Sequence, residues 1–188
     1  PAICGRVCPH EKQCEGHCVL GKKGRPVRIG KLESFIAQFD SDMQLTHERI
    51  PEKTRGKVAI IGSGPAGLTV AGDLARQGFH VTIFEGQPEA GGVLMYGIPE
   101  YRLPKAVVRN EIKKIEDLGV HFVRNCLVGT PESGVTVDSL FAEGFDAIFM
   151  GTGTALPQNL SIPGSDLRRV TQSTDFLHNV NAYVEGAL

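Results

Sequence analysis

The chain has no tryptophan, only three tyrosines and no excess of either charge: 20 Lys+Arg stand against 21 Asp+Glu, a formal net charge of −1. Proteins that hold single-stranded nucleic acid use exposed aromatic platforms in basic grooves. Recognition of nucleic acid or of an anionic membrane needs a basic surface. Neither kind of partner is expected. No run of about 18 apolar residues is present to cross a bilayer, and Pro1-Ala2-Ile3-Cys4 has none of the charged, apolar and cleavage regions of a secretory signal. The expected setting is soluble and cytoplasmic. With 41% apolar and 22% charged residues over 188 positions, the chain can bury a core as one globular domain plus an appendage. It opens on Pro1 rather than Met and runs directly into cysteines, which suggests a fragment of something longer. What it has in abundance is glycine, 23 residues.

Four of the five cysteines, Cys4, Cys8, Cys14 and Cys18, are spaced C-x3-C-x5-C-x3-C. Without a secretory signal, thiols stay reduced, so metal or iron–sulfur ligation is favoured over disulfides. Zinc sites pair C-x2-4-C arms across a longer finger, whereas this set is compressed, which fits a cluster better. His10 and His17 lie among the thiols and read as solvated loop residues. Lys31 to about Asp40 is amphipathic, with Leu32, Phe35, Ile36 and Phe39 on one face, and predicts a short helix packed on the neighbouring domain. Residues 41–56 are polar and aperiodic and read as a linker.

Lys57–Ile61 is a short apolar run that ends in Gly62-Ser63-Gly64-Pro65-Ala66-Gly67, after which Leu68, Ala71, Leu74 and Ala75 recur at helical spacing. Strand, glycine turn and helix in that order form a dinucleotide fingerprint. Gly62 permits the tight turn, Gly64 lets the backbone approach a pyrophosphate, and Gly67 lets helix and strand pack closely. The phosphates would face a helix N-terminus, where backbone amides and the macrodipole hold an anion without lysine. A second strand, His80–Phe84, ends at Glu85, whose carboxylate can accept from both ribose hydroxyls and would repel a 2′-phosphate. These residues indicate an adenine dinucleotide and leave FAD and NAD both open.

GGVLMYGIPEYRLPK, residues 91–105, is too broken by glycine and proline for a long helix or regular strand. It predicts a structured apolar loop suited to a flat ligand or to burying its own side chains. Pro104 starts a helix with Val107, Val108, Ile112, Ile115 and Leu118 on one stripe. Strands are expected over Val120–Val128 and Phe145–Met150, with Cys126 as a small core hydrophobe and Gly151-Thr152-Gly153-Thr154 at a ligand-facing strand end. Ser173 to about Val184 predicts a capped helix. The fold class is therefore α/β: a Rossmann-like domain with a parallel sheet (57–175) after a small, mainly helical Cys-rich segment (1–40) and the linker (41–56). Residues 176–188 read as the start of a truncated second dinucleotide-binding region.

Four stretches in register carry a resemblance: ICGRVCPHEKQCEGHCVLGKKGRPVRIGKLESF, VAIIGSGPAGLTVAGDLARQGFHVTIFE, GGVLMYGIPEYRLPK and FDAIFMGTGTALPQNLSIPG. The chain resembles the small (beta) subunit of NADPH-dependent glutamate synthase. Relatives of that family include the NADPH-binding subunit of bifurcating ferredoxin oxidoreductases and the N-terminal half of dihydropyrimidine dehydrogenase. The resemblance implies FAD held by Gly62, Ser63, Gly64, Pro65, Ala66 and Gly67, by Glu85 on the adenosine ribose and by Gly92, Val93, Leu94 and Arg102 near the flavin, with Gly86, Gln87 and Gly153 also among the cofactor-binding residues. It places Val128 at the adenine end. It also implies Cys8, Cys14 and Glu33 as ligands of one [4Fe–4S] cluster and Cys18 of a second, completed by upstream cysteines, with Cys4 outside the set. His10, His17 and the LRRV stretch depart from the family pattern.

The expected chemistry is NAD(P)H-dependent electron transfer through FAD to iron–sulfur clusters, with NADPH bound by a domain beyond this chain and no side-chain acid or base named. The expected partner is the large glutamate synthase subunit, or a ferredoxin-linked subunit in the bifurcating alternative. Other readings are a non-catalytic adaptor and a zinc-binding regulator. The chain alone is expected to be inactive.

Overall fold

A computed structural model describes residues 2–46, 48–130, 132, 134–154, 156–158 and 160–184. The expected motif spanning residues 145–164 thus loses Ala155 and Asn159, and the final segment loses its last four residues, to positions outside the described ones.

The chain begins with a one-turn helix α1 (Cys4–Val7), two 3₁₀ turns (His10–Lys12 and Val19–Lys22) and the long helix α2 (Ile29–Met43). Strand β1 (Lys57–Ile61), helix α3 (Pro65–Arg76) and strand β2 (His80–Phe84) follow. Next come the single turn α4 (Val93–Tyr96), helix α5 (Lys105–Asp117) and strand β3 (His121–Val123), then α6 (Val137–Ala142), β4 (Ala147–Met150) and α7 (Ser173–Val184). The four strands form one parallel sheet in the order β3-β2-β1-β4. This is the α/β architecture expected.

Side chains of a strand alternate between the two faces of a sheet. Val58 and Ile60 of β1 and Val81 and Ile83 of β2 therefore enter one core with Leu68, Ala71 and Ala75 of α3 and Val108 and Ile112 of α5. Ala59, Ile61 and Phe84 point the other way and pack with Cys126 and with Leu140 of α6. Ile60 and Ile83 have no exposure, and burial of such a side chain contributes about 1.5–3 kcal/mol. Cys126 is a core residue, as expected.

Three expectations change. The helix read as Lys31–Asp40 extends over Ile29–Met43, and its apolar stripe faces outward: Phe35 is 66% and Ile36 61% exposed, with Leu32 and Phe39 also exposed. Its packed face is made of small residues, because α1 approaches closely enough that a Cβ on Gly5 would stand 2.6 Å from the Ser34 nitrogen. Periodicity marks an amphipathic helix but does not say which face finds a partner. The strand expected over Val120–Val128 spans only His121–Val123, since Asn125 turns into the left-handed region at φ 55°. The last strand begins at Ala147 rather than Phe145. The stretch read as a linker is tied to the domain: Lys53 Nζ donates to the Ala75 carbonyl, Thr54 and Arg55 amides donate to Gly78, and Arg76 pairs with Glu48. Helix α6, capped reciprocally by Thr136 and Ser139, lies in a segment for which no element was expected.

Among the described residues, no helix is long and apolar enough to cross a membrane.

Candidate dinucleotide site and cysteine segment

Where β1 ends, Gly62 adopts φ 98° and the chain enters α3 through Gly64, its N-cap, with Pro65 in the first turn. The opening amides of a helix have no acceptor within it, and Pro65 has no N–H, so the free first-turn amides are those of Ala66 and Gly67. Three glycines lie backbone to backbone here. A Cβ on Gly67 would stand 2.0 Å from the Gly62 carbonyl oxygen, and one on Gly62 would stand 2.4 Å from the carbonyl oxygen of Gly151 at the end of β4. Gly64 differs: nothing lies within 4 Å of the position its Cβ would take. The tasks assigned to these glycines from spacing therefore separate into close packing at Gly62 and Gly67 and an open approach at Gly64.

Glu85 follows β2 and is 7% exposed. Its Oε2 accepts from the Ser63 amide at 2.9 Å and from the Ser63 hydroxyl, and its Oε1 accepts from the Gln87 amide at 2.8 Å. The carboxylate thus faces the phosphate turn. A carboxylate offers about four acceptor positions, so three protein donors leave room for about one more. Accepting both ribose hydroxyls would require one protein donor to withdraw.

The remaining expected nucleotide residues fall into two groups. Gly92 adopts φ 53°, and a Cβ there would stand 2.9 Å from the Gly64 Cα, so the glycine loop abuts the phosphate turn. Val93 is 57% exposed beside it, Gly86 lies against Leu127, Arg102 is exposed, and Gly153 has open space around it. Leu94 and Ser63, by contrast, are buried, and Val128 is half-buried against the second core. Leu127, exposed near Gly86, escaped notice in the sequence, where nothing but its apolar character marked it. Lys105 also escaped notice. It is 2% exposed, and its Nζ donates to the Leu94 and Ile98 carbonyls, fastening the loop from below.

In the cysteine segment, burial and then the neighbouring Cys14, Cys4 and Glu33 push the Cys8 thiol above its ordinary value. Cys18 has other surroundings: the amides of Val27, Leu20 and Gly21 lower its pKa, which is the environment of a stabilised thiolate. The His10 imidazole fills the space left by Gly30, where a Cβ would stand 2.5 Å from a ring carbon, and its Nε2 lies 3.6 Å from Glu33 Oε2. His17 is exposed, as expected, whereas His10 is not a solvated loop residue. Among the described residues, no three His, Cys, Asp or Glu converge to hold a single metal ion. Free thiols at Cys8, Cys14 and Cys18 are a donor set suited to an iron–sulfur cluster.

Known proteins match both halves. Residues 1–45 match the family model described as dihydropyrimidine dehydrogenase domain II, 4Fe-4S cluster, and residues 56–186 match pyridine nucleotide-disulphide oxidoreductase. The subunit PreT of NAD-dependent dihydropyrimidine dehydrogenase from Salmonella typhimurium is 40% identical over 156 residues, 83% of this chain and 38% of that protein. The glutamate synthase [NADPH] small chain of Bacillus subtilis is 40% identical over 178 residues, 94% of this chain and 35% of that protein. The chain therefore spans little more than a third of these relatives. Among solved structures, Mycobacterium tuberculosis FprA in complex with NADPH aligns with a TM-score of 0.60 at 26% identity, covering 69% of this chain and 30% of that one. With its glycine turn, buried acid and parallel sheet, the chain belongs to the pyridine nucleotide-disulphide oxidoreductase family and carries a 4Fe-4S-type segment ahead of that domain.

Proposed function

We propose that this chain is the FAD-holding and cluster-proximal part of an NAD(P)H-dependent flavoprotein oxidoreductase of the glutamate synthase small-chain type. The observation that carries the reading is the open approach at Gly64 beside a buried carboxylate turned toward it. Bound FAD supplies the conversion of a hydride into single electrons, and iron–sulfur clusters accept electrons one at a time. The chain's own residues bind and orient. Amides of Ala66 and Gly67 face the diphosphate, Glu85 takes a ribose hydroxyl, and the Gly91–Leu103 loop forms the wall at the flavin end. Cys8, Cys14 and Glu33 serve one cluster and Cys18 another. The partner is a large subunit bearing the synthase site.

The similarity to PreT at the same 40% identity favours a second reading, in which the acceptor is a dihydropyrimidine dehydrogenase partner subunit. Anaerobic purification followed by flavin absorbance, iron analysis and FAD titration tests the common core. Bound flavin is expected in the chain itself, and iron once the upstream cysteines that complete the clusters are supplied with it. A chain that takes up no FAD, or that holds one zinc and no iron, overturns it. NADPH-dependent transfer from a longer form that includes the NADPH-binding domain to purified glutamate synthase large subunit, compared with the dehydrogenase partner, separates the two readings.

A further inference from the structure

We propose that Ser63 is a positioning residue that couples the two ends of the flavin site without touching the cofactor; this rests on the FAD reading above. Its side chain is fully buried, with 0% exposure, so the hydroxyl is not available to a ligand. Instead it joins three separate segments. The hydroxyl donates to Glu85 Oε2 and accepts from the Gly91 amide at 2.9 Å, while the Ser63 amide donates to the same carboxylate oxygen at 2.9 Å. A hydroxyl has one proton to give, and here it goes to the acid that would meet the adenosine ribose. Its lone pair receives the first amide of the loop that would meet the isoalloxazine.

The loop end is not free to move independently. Gly92 presses on the phosphate turn so closely that a Cβ on it would stand 2.9 Å from the Gly64 Cα. Release of the Gly91 amide therefore shifts a wall of the mouth as well as the loop. Hydrogen bonds to an ionised carboxylate are about twice as strong as neutral ones, so the same hydroxyl holds Glu85 in the orientation that leaves its remaining acceptor position outward. Binding at the ribose and placement of the flavin loop are coupled through one buried oxygen.

The test is equilibrium titration of FAD and ADP against the 188-residue chain and its Ser63→Ala, Glu85→Gln and doubly substituted forms, with hydrogen exchange read at the Gly91 amide. ADP reports the adenosine end alone. Ser63→Ala is expected to weaken FAD and ADP about tenfold, because Glu85 without the hydroxyl has to be ordered at the cost of binding. For ADP, that loss should vanish when Glu85 is already glutamine, because the serine acts through the acid. Exchange at Gly91 should accelerate in Ser63→Ala without any nucleotide present. Independent, additive losses for ADP, or an unchanged Gly91 amide, overturn the proposal while leaving the FAD reading intact. A parent chain that binds neither FAD nor ADP overturns that reading and the proposal with it. Should Ser63→Ala fail to fold, Ser63→Cys keeps the volume with a much weaker donor, and parent-like affinities in that variant also overturn it.

Discussion

The side-chain amide of Asn181 donates to the main-chain carbonyl of Tyr96 at 2.7 Å, joining α7 to α4 across 85 residues of sequence. Asn181 is buried, the Tyr96 ring stacks on His178 with centroids 4.8 Å apart, and the Tyr96 hydroxyl accepts from the Glu89 amide. Replacement by alanine leaves the Tyr96 carbonyl buried without its donor. Asn181→Ala is expected to destabilise the chain by about 1–3 kcal/mol, with α7 amides the first to lose exchange protection. An unchanged urea midpoint contradicts the docking of α7.

Gly64 and Gly67 separate binding from folding. Gly64→Ala adds a methyl where no atom lies within 4 Å, so the melting temperature should stay within a degree or two while FAD affinity falls by about tenfold or more. Gly67→Ala drives a methyl onto the Gly62 carbonyl oxygen, and its cost is expected to be about 2–4 kcal/mol in thermal or urea unfolding. Equal destabilisation by the two substitutions contradicts the assignment.

Cysteine reactivity should follow the two local environments. Thiolate is the reactive form. Three amides favour it at Cys18, while burial and neighbouring anionic groups oppose it at Cys8. In the reduced, metal-free chain at neutral pH, iodoacetamide should modify Cys18 before Cys8, as read by peptide mass mapping. The reverse order contradicts the amide cradle.

Acid stability gives a further check. The Arg76 guanidinium, bonded through Nε and Nη2, holds the Glu48 carboxyl below its ordinary range. A depressed folded-state value contributes stability above the unfolded value of about 4.3, and that contribution is lost as pH falls through the folded one. Both side chains are more than a third exposed, so solvent screening limits the effect to about 0.2–1 kcal/mol. Glu48→Gln should lower stability at pH 7 by that amount and converge with the parent below pH 3. A constant difference across that range contradicts the ion pair.

The parallel sheet and the phosphate turn were legible because their signals are local. Lys57–Ile61, the glycine spacing and His80–Phe84 each specify conformation within a few residues, and the strands appear at those positions. Glu85 was legible as the acid at a strand end, but its attachment to Ser63 was not, since the two lie 22 residues apart and only the tertiary fold joins them. The outward face of α2 was misread because amphipathicity records apolar side chains and not their neighbours. His10 could not be recognised as packed until Gly30 was seen to make room for it. Leu94 and Val128 enter the site reading only through likeness to relatives; in the fold Leu94 is buried and Val128 is half-buried against the second core.

The mutual contact of Gly62, Gly67 and Gly151 has a practical consequence for anyone seeking to alter nucleotide selectivity. A methyl at Gly67 displaces the peptide plane of Gly62, and a methyl at Gly62 displaces that of Gly151, so neither Gly62 nor Gly67 can be enlarged without moving the next glycine in the series. Redesign has to proceed from the rim, through Gln87, Val93 and Leu127, with this knot of main chain left as it is.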